Sequence, residues 1–301
     1  KKTRLSKLKT SIKKKIKLGK KVENGWQLNE VMPVKKFKYK WFNHKIKSRS
    51  YFNFDKKKDF IILPEIFAHL ADDLLIKKGI DYAIFVQNGY VIQSTNNENK
   101  LSKAYKKAKF ILSYSNDISN CINLKFPSLK TKIIKISYAL NLNNKIKFKK
   151  KNLITFMSRK LPQHSKLVTN YLKSHLPINW KLKNIHQLSE KETYSILKKS
   201  KIFLAFSSFE GLALPPIEAA LAGNYVIGYS GEGGKEYWNS SIFTEVNSGN
   251  INHFVKSINE KIIFLKNNKK FPKKNLINLE NEFSSETETK NIIKFLKFIP
   301  K

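Results

Sequence analysis

Short apolar runs alternate with longer amphipathic stretches along most of this chain. In the first half, runs rich in β-branched and aromatic residues predict buried strands, at residues 59–65, 82–88, 110–115 and 132–136. The amphipathic stretches between them predict helices at residues 66–78, 101–108 and 117–123. Strands that alternate with helices are typical of a parallel sheet, so the pattern predicts an α/β fold.

The same alternation continues through the second half. Strands are predicted at residues 153–158, 180–185, 201–206, 225–229 and 242–246. Helices are predicted at residues 164–175, 189–199, 250–267 and 284–298. The helix at 189–199 opens with Ser-Glu-Lys-Glu, a capping box in which the serine and the second glutamate satisfy free backbone amides at the helix start.

The loop and helix between the strands at 201–206 and 225–229 form the most informative unit. Pro215 and Pro216 suit the first turn of a helix, where their missing N–H groups would have no partner. Gly223 fits the left-handed cap that ends such a helix. Open α/β sheets bind ligands outside the carboxyl ends of their strands, which is the edge that this loop occupies.

Two glutamates give this unit its candidate chemistry. Glu210 lies in the loop and Glu218 follows after seven intervening residues, in the predicted first turn of the helix. The amides of residues 211–214 would face an anion or a sugar hydroxyl, and Glu218 could accept hydrogen bonds from a vicinal diol such as ribose. The alternative is a capped helix with a surface glutamate, which the helix dipole alone favours.

The segment Phe-Glu-Gly-Leu-Ala-Leu-Pro-Pro-Ile-Glu-Ala-Ala-Leu-Ala-Gly, followed by Gly-Glu-Gly-Gly-Lys-Glu at 231–236, resembles the donor-binding half of a GT-B glycosyltransferase. It is most similar to the retaining family 4 ("glycosyl transferases group 1") type, with its E-x7-E signature, over roughly residues 152–237. The resemblance implies two Rossmann-like, doubly wound domains that face a central cleft. The N-terminal half lacks the expected opening strand and glycine-rich loop, so we expect that domain to be shortened.

The resemblance also implies a domain organisation. We expect a basic N-terminal segment at 1–21, an acceptor-side domain at 22–147 and a nucleotide-sugar donor domain at 148–283. A C-terminal helix at 284–301 is expected to cross back to the first domain. Residues 141–151 are polar and rich in lysine, as an interdomain linker would be.

Site residues follow from the same resemblance. Arg159 and a lysine would neutralise the departing diphosphate, and Lys166 is the first choice for that lysine, with Lys160 as the alternative. Glu210 would face the donor sugar and Glu218 would bind the ribose. The other donor-binding residues would be the backbone of Gly211, Leu212, Ala213 and Leu214, with His186 and Leu188 beside the base. Ala213 replaces a glycine that is common at its position.

The formal charge of +37 raises a different possibility, a nucleic-acid-binding protein. However, 56 of the 59 basic residues are lysines spread along the whole chain, whereas base recognition favours arginine. We therefore interpret the charge as compositional bias and do not expect nucleic acid as a partner. Residues 1–21 fit a basic amphipathic helix on an anionic membrane, although a basic arm or a helix on the protein's own flank is favoured.

Cysteine and acidic residues limit the remaining chemistry. Cys121 is the single cysteine, which excludes an internal disulfide and fits a reducing compartment. Asp72 and Asp73 are adjacent and fit a helix face, not the Asp-x-Asp metal site of metal-dependent transferases. We therefore expect no metal or cofactor, and a cytoplasmic protein or one peripheral to the inner face of a membrane.

These observations together predict a metal-independent, retaining glycosyltransferase. It would move a sugar from a UDP- or GDP-linked donor to a glycan, lipid-linked or protein acceptor. A catalytically inert GT-B relative that binds a nucleotide sugar or glycan is the alternative, and a basic nucleic-acid-binding protein is the second alternative. The sequence leaves the donor sugar and the acceptor open.

Overall fold

A computed structural model describes residues 54–93, 97–140, 149–238, 241–267 and 271–299, together with two short strands at 20–22 and 25–27. Within these residues the chain forms two compact units. The first ends at Leu112 and also takes in Cys121–Ile134, whereas the second takes in Ser113–Asn120 and continues from Lys135. Residues 1–19 of the basic segment and most of the predicted linker at 141–151 lie outside the described residues.

The predicted strands of the first half form one sheet. Its strands are β3 to β6 in spatial order, at Ile61–Pro64, Tyr82–Val86, Phe110–Ser113 and Lys132–Lys135. They follow an antiparallel pair, β1 (Lys20–Val22) and β2 (Gly25–Gln27). β3 and β4 pair in parallel, as the alternation with helices predicts. Two helices accompany the sheet close to their predicted positions, α2 (Glu98–Lys107) and α3 (Asn116–Lys125).

The helix predicted at 66–78 is broken into three pieces. A 3-10 turn at Glu65–Leu70 leads into one turn of α-helix, α1 (Ala71–Leu74), and a second 3-10 turn follows at Ile76–Lys78. The break falls at Leu75, whose φ and ψ of −125° and −55° are not helical. Its side chain is buried and its carbonyl accepts from the amide of Ile80, so core packing overrides the amphipathic pattern here.

The second unit contains a five-stranded parallel sheet. The strands of this sheet are β7 to β11, at Leu153–Phe156, Lys181–Asn184, Ile202–Phe206, Tyr225–Tyr229 and Phe243–Glu245. Their spatial order is β11-β10-β9-β7-β8, and the pairs are parallel. The chain first adds β8 on one side of β7 and then β9 to β11 on the other. The order therefore reverses at β7, which defines a topological switch point between β7 and β9.

Helices cover both faces of this sheet, because successive side chains of a strand point to opposite sides. Phe203 and Ala205 of β9 pack with Ile217 in one buried cluster. Leu204 and Phe206 pack with Val168 and other residues in a second cluster on the opposite face. The two clusters account for the unbroken burial of β9, as expected of a strand covered on both faces.

The helices of the second unit largely confirm the predictions. They are α4 to α9, at Pro162–Lys173, Glu190–Lys199, Leu214–Leu221, Ile251–Lys266, Ile277–Glu282 and Ser285–Leu296. The capping box at the start of α5 is present in full, and Gly223 follows α6 with a left-handed φ of 81°. The sequence did not predict α8, because its buried positions are sparse within a segment rich in lysine and asparagine.

A partly buried lysine ties the ends of α5 and α6 together. The Lys150 ammonium donates to the carbonyl oxygens of Ser200 and Ala222, each at 2.7 Å, and to that of Leu197 at 3.4 Å. These acceptors lie at the C-terminal ends of the two helices, where a cation is favourable. Burial lowers the pKa of Lys150 to about 7. The opposite ends of both helices lie at the carboxyl edge of the sheet.

Gly228 supports the central pairing of β9 with β10. Its φ is 139°, and a methyl group at this position would lie 2.1 Å from the carbonyl oxygen of Ala205 in β9. We predict that Gly228→Ala lowers the free energy of unfolding by at least about 3 kcal/mol, because backbone in a packed sheet has no room to move.

Gly249→Ala is the matched control for that substitution. Its φ of 87° is also left-handed, but nothing lies within 4 Å of the added methyl group. It should cost only about 1–2 kcal/mol, the price of a left-handed alanine. Urea unfolding of both variants measures the difference, and equal losses would contradict the packing argument.

Candidate functional site

A pocket of about 380 Å³, open to solvent, lies at the switch point between β7 and β9. Arg159 and Lys160 line one side and follow β7, whereas Ser207 and Glu210 line the other and follow β9. The remaining lining residues are Met157, Phe203, Leu204, Ala205, Phe206, Pro215 and Pro216. Ligands of open α/β sheets bind at this position, so the topology and the sequence indicate the same edge.

The polar side of the pocket combines a carboxylate with two cations. Lys160 Nζ lies 3.2 Å from Glu210 Oε1, and only 16% of the Glu210 side chain is exposed. Arg159 lines the same pocket, and a guanidinium offers donors in the fork geometry that matches phosphate. Because Lys160 offsets the charge of Glu210, an anion can approach Arg159 without strong repulsion.

The loop that carries Glu210 is held by a glycine turn at 231–234. A methyl group placed on Gly233 would lie 2.2 Å from the carbonyl oxygen of Gly211 and 2.6 Å from that of Glu210. One placed on Gly231 would lie 3.2 Å from Ser207 Cβ. Only glycine allows two backbone segments to approach so closely, and both ends of the loop are therefore fixed by direct packing.

The backbone predicted to bind the donor lies between two parts of the pocket lining. Glu210 and Pro215 line the pocket on either side of residues 211–214. Ala213 is buried, and its carbonyl accepts a 2.6 Å hydrogen bond from the Tyr237 hydroxyl. Leu212 and Leu214 are partly buried and pack against the core with their side chains.

Glu218 lies apart from this pocket and in a different environment from Glu210. The helix α6 begins at Leu214, so Glu218 belongs to its second turn, and the prediction of the first turn was wrong. Burial, and secondarily the charge of Glu190, raises the pKa of Glu218 to about 7. Glu218 in turn contributes to the raised pKa of Tyr194 on α5. The described residues provide no hydrogen bond or ion pair to its carboxylate.

The remaining predicted site residues lie at the surface. Lys166 is exposed on α4 and does not line the pocket, whereas its alternative Lys160 does. His186 and Leu188 are exposed in the loop between β8 and α5. That loop leads directly into Glu190, whose charge contributes to the raised pKa of Glu218. The loop and Glu218 therefore lie at the same part of the carboxyl edge of the sheet.

Among the residues that the structure describes, no group of three or more histidine, cysteine, aspartate or glutamate side chains is placed to hold a metal ion. Each helix that the structure describes is too short or too polar to pass through a bilayer.

The pKa of Glu218 generates a stability prediction. The folded pKa of about 7 exceeds the ordinary value of 4.5 for a glutamate, so the folded state holds a proton that the unfolded chain has lost between these pH values. Stability therefore falls as the pH rises from 4.5 to 7. Above pH 7 the ionised carboxylate costs on the order of 1–3 kcal/mol.

Glu218→Gln should remove that cost, since the amide stays neutral. Relative to wild type, we expect the variant to gain about 1–3 kcal/mol more at pH 8 than at pH 4.5. Urea unfolding at the two pH values measures this, with Glu260→Gln on the exposed face of α7 as the control. A gain that does not depend on pH would show that burial does not disfavour the ionised form of Glu218.

The chain is similar in structure to solved glycosyltransferases. The similarity to HepE from Anabaena, solved with UDP, covers 81% of this chain and 80% of the HepE chain, with a TM-score of 0.64 and 11% identity. The similarity to sucrose-phosphate synthase from Thermosynechococcus elongatus covers 79% of this chain and 73% of the synthase chain, with a TM-score of 0.63 and 10% identity. TarM matches 78% of this chain, with a TM-score of 0.61 and 13% identity.

Sequence comparison adds no closer relative. No family model matches the chain, and no curated protein matches it significantly. The chain spans little more than half the length of two of the structures, 54% of TarM and 56% of a chain of the GtfA/B complex. The structural similarities and the two parallel-sheet units together show that the chain has the GT-B fold.

Proposed function

We propose that this chain is a metal-independent, retaining glycosyltransferase of the family 4 type, in which the two glutamates form the E-x7-E signature. It would transfer a sugar from a UDP- or GDP-linked donor to a glycan, lipid-linked or protein acceptor. The supporting observation is the pocket at the switch point of the second sheet, where Arg159, Lys160 and Glu210 converge. The presence of UDP in the HepE structure favours a uridine nucleotide.

The diphosphate would lie against Arg159 and Lys160. When the bond between the sugar C1 and the diphosphate oxygen breaks, negative charge accumulates on that oxygen. Arg159 can contact the phosphate group that carries this oxygen through two parallel hydrogen bonds, and Lys160 adds a second positive charge. Basic side chains would in this way supply the electrostatic stabilisation that a divalent cation supplies in other transferases.

Glu210 would hold the donor sugar. Its carboxylate is mostly buried, and the glycine turn holds its loop in place, so it can accept hydrogen bonds from sugar hydroxyls in a fixed geometry. The acceptor hydroxyl would attack the same face of C1 that the diphosphate leaves, and its proton would pass to the departing diphosphate. No protein nucleophile is required for this route.

Glu218 would hold the ribose of the donor. A carboxylate with no partner in a half-buried position costs stability, and such groups cluster at functional sites. The two hydroxyls of a ribose would provide the missing hydrogen bonds. His186 and Leu188, in the loop that leads to α5, would then border the base. The two glutamates would thus contact opposite ends of one extended ligand, which explains why they do not share a pocket.

Substitutions of Arg159 and Glu218 should distinguish the diphosphate end of the donor from its ribose end. Arg159→Ala should weaken UDP and UDP-glucose binding about 10- to 150-fold, the value of a charged hydrogen bond of about 1.5–3 kcal/mol, with little effect on uridine. Glu218→Ala should weaken all three, because uridine retains the ribose. Isothermal titration with the three ligands measures both effects, and Lys256→Ala, exposed on α7, serves as the control.

A chain that binds none of the three ligands would contradict the proposed function, as would equal affinities in wild type and both variants. Binding without donor hydrolysis would favour the catalytically inert relative instead. The same titration with Lys160→Ala and Lys166→Ala decides which lysine contacts the diphosphate. We expect the larger loss for Lys160, because Lys160 lines the pocket.

A further inference from the structure

Ser115 contacts the loop after β9, residues 207–213, from a distant part of the chain. It directly precedes α3 and, with the other residues of 113–120, belongs to the second unit. Its hydroxyl donates a 2.5 Å hydrogen bond to the carbonyl oxygen of Gly211, which lies 96 residues later in the sequence. The Ser115 side chain is buried. The loop that carries Glu210 is therefore held by a side chain from outside the E-x7-E segment.

The hydroxyl proton of Ser115 has a defined direction. The Ser115 oxygen also accepts a 3.1 Å hydrogen bond from the amide of Ile118, as a helix N-cap does. Because a hydroxyl carries a single proton, that proton is directed to the Gly211 carbonyl. Glu236 holds the same segment through the amide of Asn116, which lies 3.0 Å from its Oε1. The start of α3 is thus fixed against the loop by specific hydrogen bonds.

A second hydroxyl holds the loop two residues further on. The Tyr237 side chain is buried, and its hydroxyl donates to the carbonyl oxygen of Ala213 at 2.6 Å. In a trans peptide the N–H group points away from the carbonyl oxygen of the same peptide unit. The amides of Leu212 and Leu214 therefore point away from the two hydroxyls. Within the part of the chain that the structure describes, neither amide has a hydrogen-bond acceptor.

These two amides lie in the segment between Glu210 and Pro215, which both line the pocket. A backbone N–H group without a partner costs free energy unless water or a ligand accepts from it. A nucleotide sugar carries suitable acceptors both on its diphosphate and on its sugar. Any such hydrogen bond requires that the peptide unit keep its direction, and for the Leu212 amide this direction is set by the Gly211 carbonyl.

We propose that Ser115 is a positioning residue for the donor. Its hydrogen bond to the Gly211 carbonyl orients the peptide unit so that the Leu212 amide donates to an oxygen atom of the nucleotide sugar. Ser115 acts through this peptide unit and does not touch the donor itself. The inference rests on the proposed function and adds to it a residue from the segment that precedes α3.

The test compares Ser115→Ala with Ser115→Cys in the full chain. Alanine removes the donor, whereas cysteine has a similar size and retains a weak one. Ser119→Ala is the matched control, because it removes another hydroxyl of α3, one that donates to the Ser115 carbonyl at 3.1 Å. Isothermal titration of each protein with uridine, UDP and UDP-glucose measures binding, and thermal unfolding measures stability.

We expect Ser115→Ala to bind UDP-glucose about three- to tenfold more weakly than wild type, the range for one neutral hydrogen bond. Uridine affinity should stay within about twofold, because uridine has neither diphosphate nor sugar donor groups. An equal loss for UDP places the Leu212 amide on the diphosphate, and a loss confined to UDP-glucose places it on the sugar. Ser115→Cys should show a smaller loss than Ser115→Ala.

The control separates positioning from stability. Both alanine variants should lower the unfolding temperature by about 1–4 °C, but Ser119→Ala should bind all three ligands as wild type does. The inference is overturned by unchanged UDP-glucose affinity in Ser115→Ala, by an equal loss of uridine affinity, or by an equal loss in Ser119→Ala. Should Ser115→Ala not fold, unchanged UDP-glucose affinity in Ser115→Cys overturns it. A wild type that binds neither UDP nor UDP-glucose would instead contradict the proposed function.

Discussion

The close approach of Gly233 to the carbonyl groups of Glu210 and Gly211 is the contact on which the rest of the site depends. It joins the loop after β9 to the turn after β10, so that the segments following two neighbouring strands hold each other in place. Because the contact is between backbones, it leaves side chains free for chemistry. Glu210 can then pair with Lys160 and line the same pocket as Arg159.

This arrangement keeps features that would otherwise destabilise the protein. Phe209 has a left-handed backbone, and Glu218 has a carboxylate whose pKa is raised to about 7 by burial. Both lie at the carboxyl edge of the second sheet, and Lys150 ties the opposite ends of α5 and α6. Rigid support on one side of the sheet and strain on the other are typical of a binding edge.

The sequence predicted most of the fold because the apolar runs match buried strands closely, as at Ile202–Phe206. It failed where long-range packing decides the backbone, as at Leu75. Arg159, Lys160 and Glu210 line one pocket because they follow strands that meet at one edge, although the sequence favoured Lys166 over Lys160, and the roles of these residues remain predictions. The separation of Glu218 from the pocket could not be predicted, since it depends on where α6 begins. Nor could the role of Gly233, whose contact joins residues far apart in the chain.

We propose that backbone packing of the glycine turn shapes the pocket in which the donor would bind. Gly233→Ala tests it most directly, with UDP-glucose affinity measured by isothermal titration and folding checked by circular dichroism. Gly249→Ala, which adds the same methyl group in open space, controls for general strain. The account predicts a folded Gly233→Ala protein whose UDP-glucose affinity falls at least about tenfold, with normal affinity for Gly249→Ala. A Gly233→Ala protein that binds UDP-glucose as tightly as wild type would contradict it.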